Sequence, residues 1–191
     1  MSDATGPLPS PSQTIGPFFH DVVALTGSNV VADEGAAGVR IRITGRVIDG
    51  EGEGVDDALV EVWQADALGV YPHPADHSAA GADPRLRGFG RSDTDAEGRF
   101  TFETVKPGIA TEGAATVPFI AMRVFARGLL RSLVTRVYFS DEPNHTEPLL
   151  AGLDMDRLDT LIARRDDSAG AITYHFDVRL QGDGETVFFD L

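Results

Sequence analysis

The sequence predicts a mainly β fold: an antiparallel β-sandwich with one helix in its C-terminal half, long loops and an extended N-terminal arm. Three observations point there. Apolar and polar residues alternate with period two in several runs, glycine-rich stretches separate those runs, and neither a strand–helix alternation nor a series of helices is present. A chain of 191 residues supports one sizeable core. The expected division is an arm and linker over residues 1–38 and a sandwich domain over 39–191.

Residues 1–19 are rich in Pro, Ser, Thr and Gly, and Pro7, Pro9, Pro11 and Pro17 favour an extended path over a helix. The arm ends on Ile15, Phe18 and Phe19, which are costly to leave in water, so this end should dock. Val39, Ile41, Ile43 and Val47 then alternate with Arg40, Arg42 and Arg46 as in a half-buried strand. Gly50, Gly52 and Gly54 supply a turn, and residues 58–64, with Leu59, Val60, Val62 and Trp63, predict a hairpin-like return.

Residues 65–98 lack periodicity and read as one long loop, a kind of segment that commonly carries function. Strands are predicted over 99–104, 119–126 and 133–140, the last containing Val134, Thr135, Val137, Tyr138 and Phe139. Met155, Leu158, Leu161 and Ile162 recur at helical spacing, with Arg164 and Arg165 suited to a helix C-terminus, which predicts a helix over 154–165. Ile172, Tyr174, Phe176, Val178 and Leu180 alternate strictly with polar residues, and 186–189 offers a final short strand.

The balance of sixteen Lys and Arg against thirty Asp and Glu gives a net charge of -14, a field that repels phosphate backbones and anionic lipid. The cations are fifteen Arg and one Lys, Lys106, so a positive site would be a planar guanidinium suited to carboxylates. With no cysteine, disulfides, thiolate nucleophiles and cysteine-ligated metals are excluded. No Lys or Arg precedes Arg40 and no apolar run reaches membrane-spanning length, so the expectation is a cytoplasmic protein without signal peptide or anchor.

His73 and His77 stand four apart, the spacing at which two imidazoles share a metal on a helix. Pro74 restricts His73 to extended geometry, so the helical argument does not apply. His20, His145 and His175 are scattered. No nucleophile elbow or phosphate loop is present, and pairs such as Asp56-Asp57 and Asp166-Asp167 read as solvated surface.

The segments Pro11-Ser-Gln-Thr-Ile-Gly-Pro-Phe18, Leu59-Val-Glu-Val-Trp-Gln-Ala65, Thr104-Val-Lys-Pro-Gly108 and Phe125-Ala-Arg-Gly128 resemble the intradiol ring-cleavage dioxygenases over nearly the whole chain. The ending, Tyr174-His-Phe-Asp-Val-Arg-Leu-Gln-Gly182 followed by Gly184-Glu-Thr-Val-Phe-Phe189, is similar to the alpha rather than the beta subunit of the two-subunit members. The resemblance implies cleavage of protocatechuate by O₂ to 3-carboxy-cis,cis-muconate, within aromatic catabolism by the β-ketoadipate route.

Catalytic members hold Fe(III) with two Tyr and two His. The positions matching three of those ligands are Ala110, Phe119 and Ala121, none with a donor atom, and the fourth falls near Ser78, seven residues from Tyr71. The resemblance therefore implies no catalytic or metal-ligating residue on this chain, and Fe(III) held by the beta subunit of a hetero-oligomer of alpha-beta units. Substrate-binding residues carried over from the alpha subunits are Thr14, Gly16, Pro17 and Arg127. Arg136 stands where catalytic subunits carry Gln, so its cation would enter the vacated cavity. Two other readings remain open: a non-enzymatic β-sandwich carrier or interaction module, and a self-sufficient dioxygenase in which Tyr71, Tyr138 or Tyr174 converges with two histidines.

Overall fold

A computed structural model describes residues 10–111, 113–168 and 170–190. Its elements, in order, are α1 (Phe19–Val23), β1 (Arg40–Ile48), β2 (Leu59–Trp63), β3 (Phe89–Asp93), β4 (Arg99–Val105), β5 (Phe119–Phe125), β6 (Leu133–Phe139), α2 (Met155–Asp159), β7 (Ile162–Asp166), β8 (Thr173–His175) and β9 (Val178–Arg179). The strands run in the order β3-β2-β5-β6-β7-β8-β1-β4, with β9 also on β1. The inner faces of β1 and β4 (Ile41, Ile43, Phe100, Phe102) share one buried cluster with those of β2, β5 and β6 (Val60, Val62, Ile120, Met122, Val124, Val137). The sheet thus folds over on itself as a sandwich, with β7 as the joint between its halves.

The alternation read in the sequence places this core. β1 buries every second residue, and β4 and β5 do so over most of their length. Each Cβ on the inner face adds apolar area removed from water at about 25 cal/mol per Å².

Several expectations are corrected. The sandwich is mixed rather than antiparallel, since β1 runs parallel to β8 and β9, and β6 parallel to β7. Parallel neighbours need a crossover instead of a tight turn, and residues 140–161, with α2, provide it between β6 and β7. The predicted helix over 154–165 ends at Asp159, and its second half is β7. Tertiary pairing decides this: Ile162 and Ala163 align with Tyr138 and Phe139, and Arg164 to Asp166 align with His175 to Thr173.

Nor do β1 and β2 form a hairpin. Beyond the turn at Gly50–Gly54 the chain crosses to the other half of the sandwich, where β2 pairs with β3 and β5. β3 lies inside the segment read as a loop. The run 172–180 breaks at Phe176 and Asp177, where Asp177 Oδ1 accepts the Arg46 N–H at 2.9 Å in place of a ladder carbonyl. Residues 186–189 form no strand, though Phe189 N–H donates to the Val134 carbonyl.

The arm does dock. Phe19 opens α1 and packs on Phe125 with ring centroids 5.9 Å apart, while Phe18 stays 74% exposed. The portion of the arm over residues 1–9 lies outside the described residues.

Candidate functional site

Two places collect the residues singled out by sequence. The first is the corner where the arm meets the turn after β5. Gly16 O accepts the Phe19 N–H at 3.1 Å, so the arm bends into α1, and Phe19 is then fixed by Phe125. Thr14 Oγ1 accepts the Gly128 N–H at 2.8 Å. Gly128 has φ of +89°, a left-handed backbone that glycine adopts without strain. Beside it, the Arg127 guanidinium pairs with Asp57, whose side chain is 9% exposed, and approaches Asp56 at 3.8 Å. Thr14 and Arg127 are therefore brought together, whereas Gly16 and Pro17 are exposed and no atom comes within 4 Å of a Cβ added at Gly16.

The second place is a cavity of about 410 Å³ on the outer side of β5 and β6, lined among others by Tyr71, Ala110, Phe119, Arg136, Glu147 and Leu149. The β5–β6 register sets Phe119 opposite Tyr138 and Ala121 opposite Arg136, and the Arg136 guanidinium lies over the Phe119 ring at 4.1 Å. Burial raises the Tyr71 phenol above its ordinary value against the opposing pull of Arg136, and Asp76 adds to the rise. Tyr138 is raised in the same way, chiefly by burial.

Ala110, Phe119 and Ala121 bring no donor atom to this region, and Arg136 brings a permanent positive charge. Among the described lining residues only Tyr71 and Glu147 carry an acidic oxygen donor, too few beside the Arg136 cation to fit ferric iron. Among the described residues no three of His, Asp and Glu group as a metal site. Tyr174 is remote from the cavity in its bonding, with its hydroxyl donating to Asp141 at 3.0 Å.

The resemblance puts the fourth ligand position near Ser78, seven residues from Tyr71, and of the two it is Tyr71 that lines the cavity. Ser78 is exposed and its N–H donates to Asp76 Oδ1 at 2.7 Å. Asp76 also accepts the Tyr71 N–H at 2.9 Å and His73 Nδ1 accepts the Ala75 N–H at 3.1 Å, so residues 71–78 form a turn wound about a buried carboxylate, not a helix. Tyr71 is stacked on Trp63 with centroids 5.7 Å apart. The apolar aromatic in β2 was legible, but its stacking partner was not.

A profile of the dioxygenase family, described as Dioxygenase_C, matches residues 14–182. The chain belongs to the intradiol dioxygenase family. It is 40% identical to the protocatechuate 3,4-dioxygenase alpha chain of Pseudomonas putida, over 95% of this chain and 96% of that relative, and equally identical to the alpha chain of Burkholderia cepacia over 95% and 97%. It is 37% identical to the beta chain of the Burkholderia cepacia enzyme, over 90% of this chain and 75% of that one. The fold agrees with the family: the dioxygenase domain of a carbohydrate-binding fusion from Streptomyces sp. SirexAA-E superposes with a TM-score of 0.62 at 22% identity, covering 83% of this chain and 88% of that one. Among the described residues no helix is long and apolar enough to cross a membrane.

Proposed function

We propose that this intradiol dioxygenase chain acts as the alpha-type subunit of a protocatechuate 3,4-dioxygenase, joined to a beta-type chain that carries the iron. The observation that carries the reading is that the positions matching three of the family's ligands are Ala110 and Phe119, in the cavity, and Ala121, opposite Arg136 on β5, none with a donor atom, within a chain otherwise similar to alpha chains over 95% of its length. Fe(III) on that beta-type partner would supply activation of the bound catechol toward O₂. The overall reaction joins protocatechuate and O₂ into 3-carboxy-cis,cis-muconate.

This chain's part is the wall of the pocket. The arm, clamped at Thr14 and at Phe19, holds Gly16 and Pro17 outward with open space beside the Gly16 Cα, suited to close approach by a substrate edge. Arg127, anchored on Asp57, sets a guanidinium field beside that surface for the carboxylate of an aromatic acid.

The test is to express the chain alone and together with a beta-type chain, then measure iron content and protocatechuate-dependent O₂ uptake. Iron and turnover only in the co-purified complex support the reading. Iron and turnover in the lone chain would place the metal here, and no association with a beta-type chain would favour the carrier.

A further inference from the structure

We propose that the cavity beside Arg136 is a second binding site of this chain, for a small aromatic monocarboxylate held by the guanidinium. All residues that form it belong to this chain, so the inference stands apart from the subunit reading above.

Arg136 is half-buried at mid-strand, cannot lose its proton, and among the described residues makes no ion pair, although acids outnumber bases thirty to sixteen. Arg42, Arg87, Arg91 and Arg165, by contrast, each hold a carboxylate. The Phe119 ring covers one face of the Arg136 guanidinium, an interaction of about 1 kcal/mol at a partly exposed site, which leaves its edge donors for an anion. Tyr138 Oη lies fully buried next to this cation.

The rest of the lining sets the ligand class. Phe119, Pro148 and Leu149 give an apolar wall, and Ala110, Ala114 and Ala115 leave room where larger side chains would fill it. The volume of about 410 Å³ lies in the range of roughly 300–1,000 Å³ typical of small-molecule pockets. Tyr71, whose phenol keeps its proton, offers an O–H to a ligand oxygen.

Glu147 limits the charge of what enters. It is 3% exposed, and its Oε2 is fixed by the Thr116 N–H at 2.8 Å and the Thr116 hydroxyl at 3.2 Å, beyond ion-pair reach of Arg136. One carboxylate on the guanidinium is therefore matched, whereas a second would meet Glu147. A planar fork favours a carboxylate over a spherical anion, and the donor-free positions disfavour a metal cation.

Trp63, the single tryptophan, reports on the site through its stacking on Tyr71. The experiment titrates the full-length chain with benzoate and 4-hydroxybenzoate and follows Trp63 fluorescence, with benzyl alcohol as neutral analogue and terephthalate as dianion. Saturable binding of the monocarboxylates is expected, with both analogues weaker. Arg136→Gln should weaken benzoate by about tenfold or more, the loss of one charge-assisted hydrogen-bond pair, and Arg136→Lys by less. Glu147→Gln should restore part of the terephthalate affinity. Benzyl alcohol binding as tightly as benzoate on the unsubstituted chain would overturn the proposal without any variant having to fold. So would undiminished benzoate binding by a folded Arg136→Gln, no benzoate binding at all, or stoichiometric iron retained by the lone chain.

Discussion

Thr14 Oγ1 and the Gly128 N–H meet at 2.8 Å although 114 residues separate them in the chain. This bond and the contact of Phe19 with Phe125 fix the end of a proline-rich arm on the sandwich. Thr14→Val keeps the shape and removes the acceptor. An exposed hydrogen bond of this kind contributes about 0.5–1.5 kcal/mol, so KM for protocatechuate in the complex should rise by roughly 2- to 10-fold, with kcat little changed. Steady-state O₂ uptake measures it, and an unchanged KM would detach the arm from the substrate.

Two glycines give opposite expectations. A Cβ at Gly45 would lie 1.7 Å from the Phe176 carbonyl oxygen and 3.0 Å from the Phe100 ring, at the place where β1 passes the break between β8 and β9. Gly45→Ala must displace backbone and should cost about 3 kcal/mol or more in urea unfolding. Gly16→Ala meets nothing within 4 Å and should leave stability unchanged within about 0.5 kcal/mol. If substrate approaches Gly16 as proposed, activity in the complex should fall all the same, because the added methyl occupies that space. Retained activity would show that nothing approaches Gly16.

Arg127 has a structural partner as well as a proposed substrate. Its guanidinium is 56% exposed, whereas the Asp57 side chain is 9% exposed, so Arg127→Ala leaves a buried carboxylate unpaired at a cost of about 1–3 kcal/mol. Asp57→Asn should recover much of that stability in the double variant. If the guanidinium also steers the aromatic acid, the double variant regains its thermal midpoint but not its KM; recovery of both would confine Arg127 to a structural role.

Lys106, the single lysine, joins the two halves electrostatically. Its Nζ donates to Asp141 Oδ2 at 3.0 Å and sits 2.5 Å from Glu142 Oε1, over the rings of Phe139 and Tyr174. Burial works to lower the Lys106 pKa, but Glu142 and Asp141 outweigh it and hold it above the ordinary value. Burial likewise works to raise Asp141, and the hydrogen bonds from Lys106, Arg165 and Tyr174 outweigh it and hold it low.

The resulting pH dependence has two limbs. The Asp141 contribution is complete above its unfolded pKa of about 4 and is lost as pH falls through the depressed folded value. The Lys106 contribution is complete below about 10.4 and is lost as pH rises through the raised folded value. Lys106→Met should lower stability by about 2 kcal/mol near neutrality, roughly 4–8 °C in a chain of this size, and flatten both limbs. Thermal melts from pH 3 to pH 11 read this out; two melts with the same slopes in variant and parent would exclude the network as their source.

Period-two alternation made β1, β4 and β5 legible because it depends only on which side of a strand faces the core, and the β-favouring cluster from Val134 to Phe139 did the same for β6. The arm's docking was legible for the same kind of reason, from the cost of leaving Ile15 and Phe19 in water. Pairing was not legible. Leu161 and Ile162 satisfy a helical spacing as well as a strand's, and only the edges offered by Tyr138, Phe139 and Tyr174 made 162–166 a strand.

The candidate site divides in the same way. The motifs carried the family and the donor-free positions at Ala110, Phe119 and Ala121, because the identity of a side chain decides whether it has a lone pair to give. That Tyr71 rather than Ser78 enters the cavity was settled by the turn around Asp76, whose carboxylate collects the N–H groups of Tyr71 and Ser78. By itself the sequence determined a mainly β fold, the family and the chemistry these positions lack. The tertiary structure alone decided the mixed strand order and the meeting of Arg136 with Phe119, Tyr71 and Glu147. Local pattern reports which residues seek burial, whereas the partner each one finds depends on contacts between segments far apart in the chain.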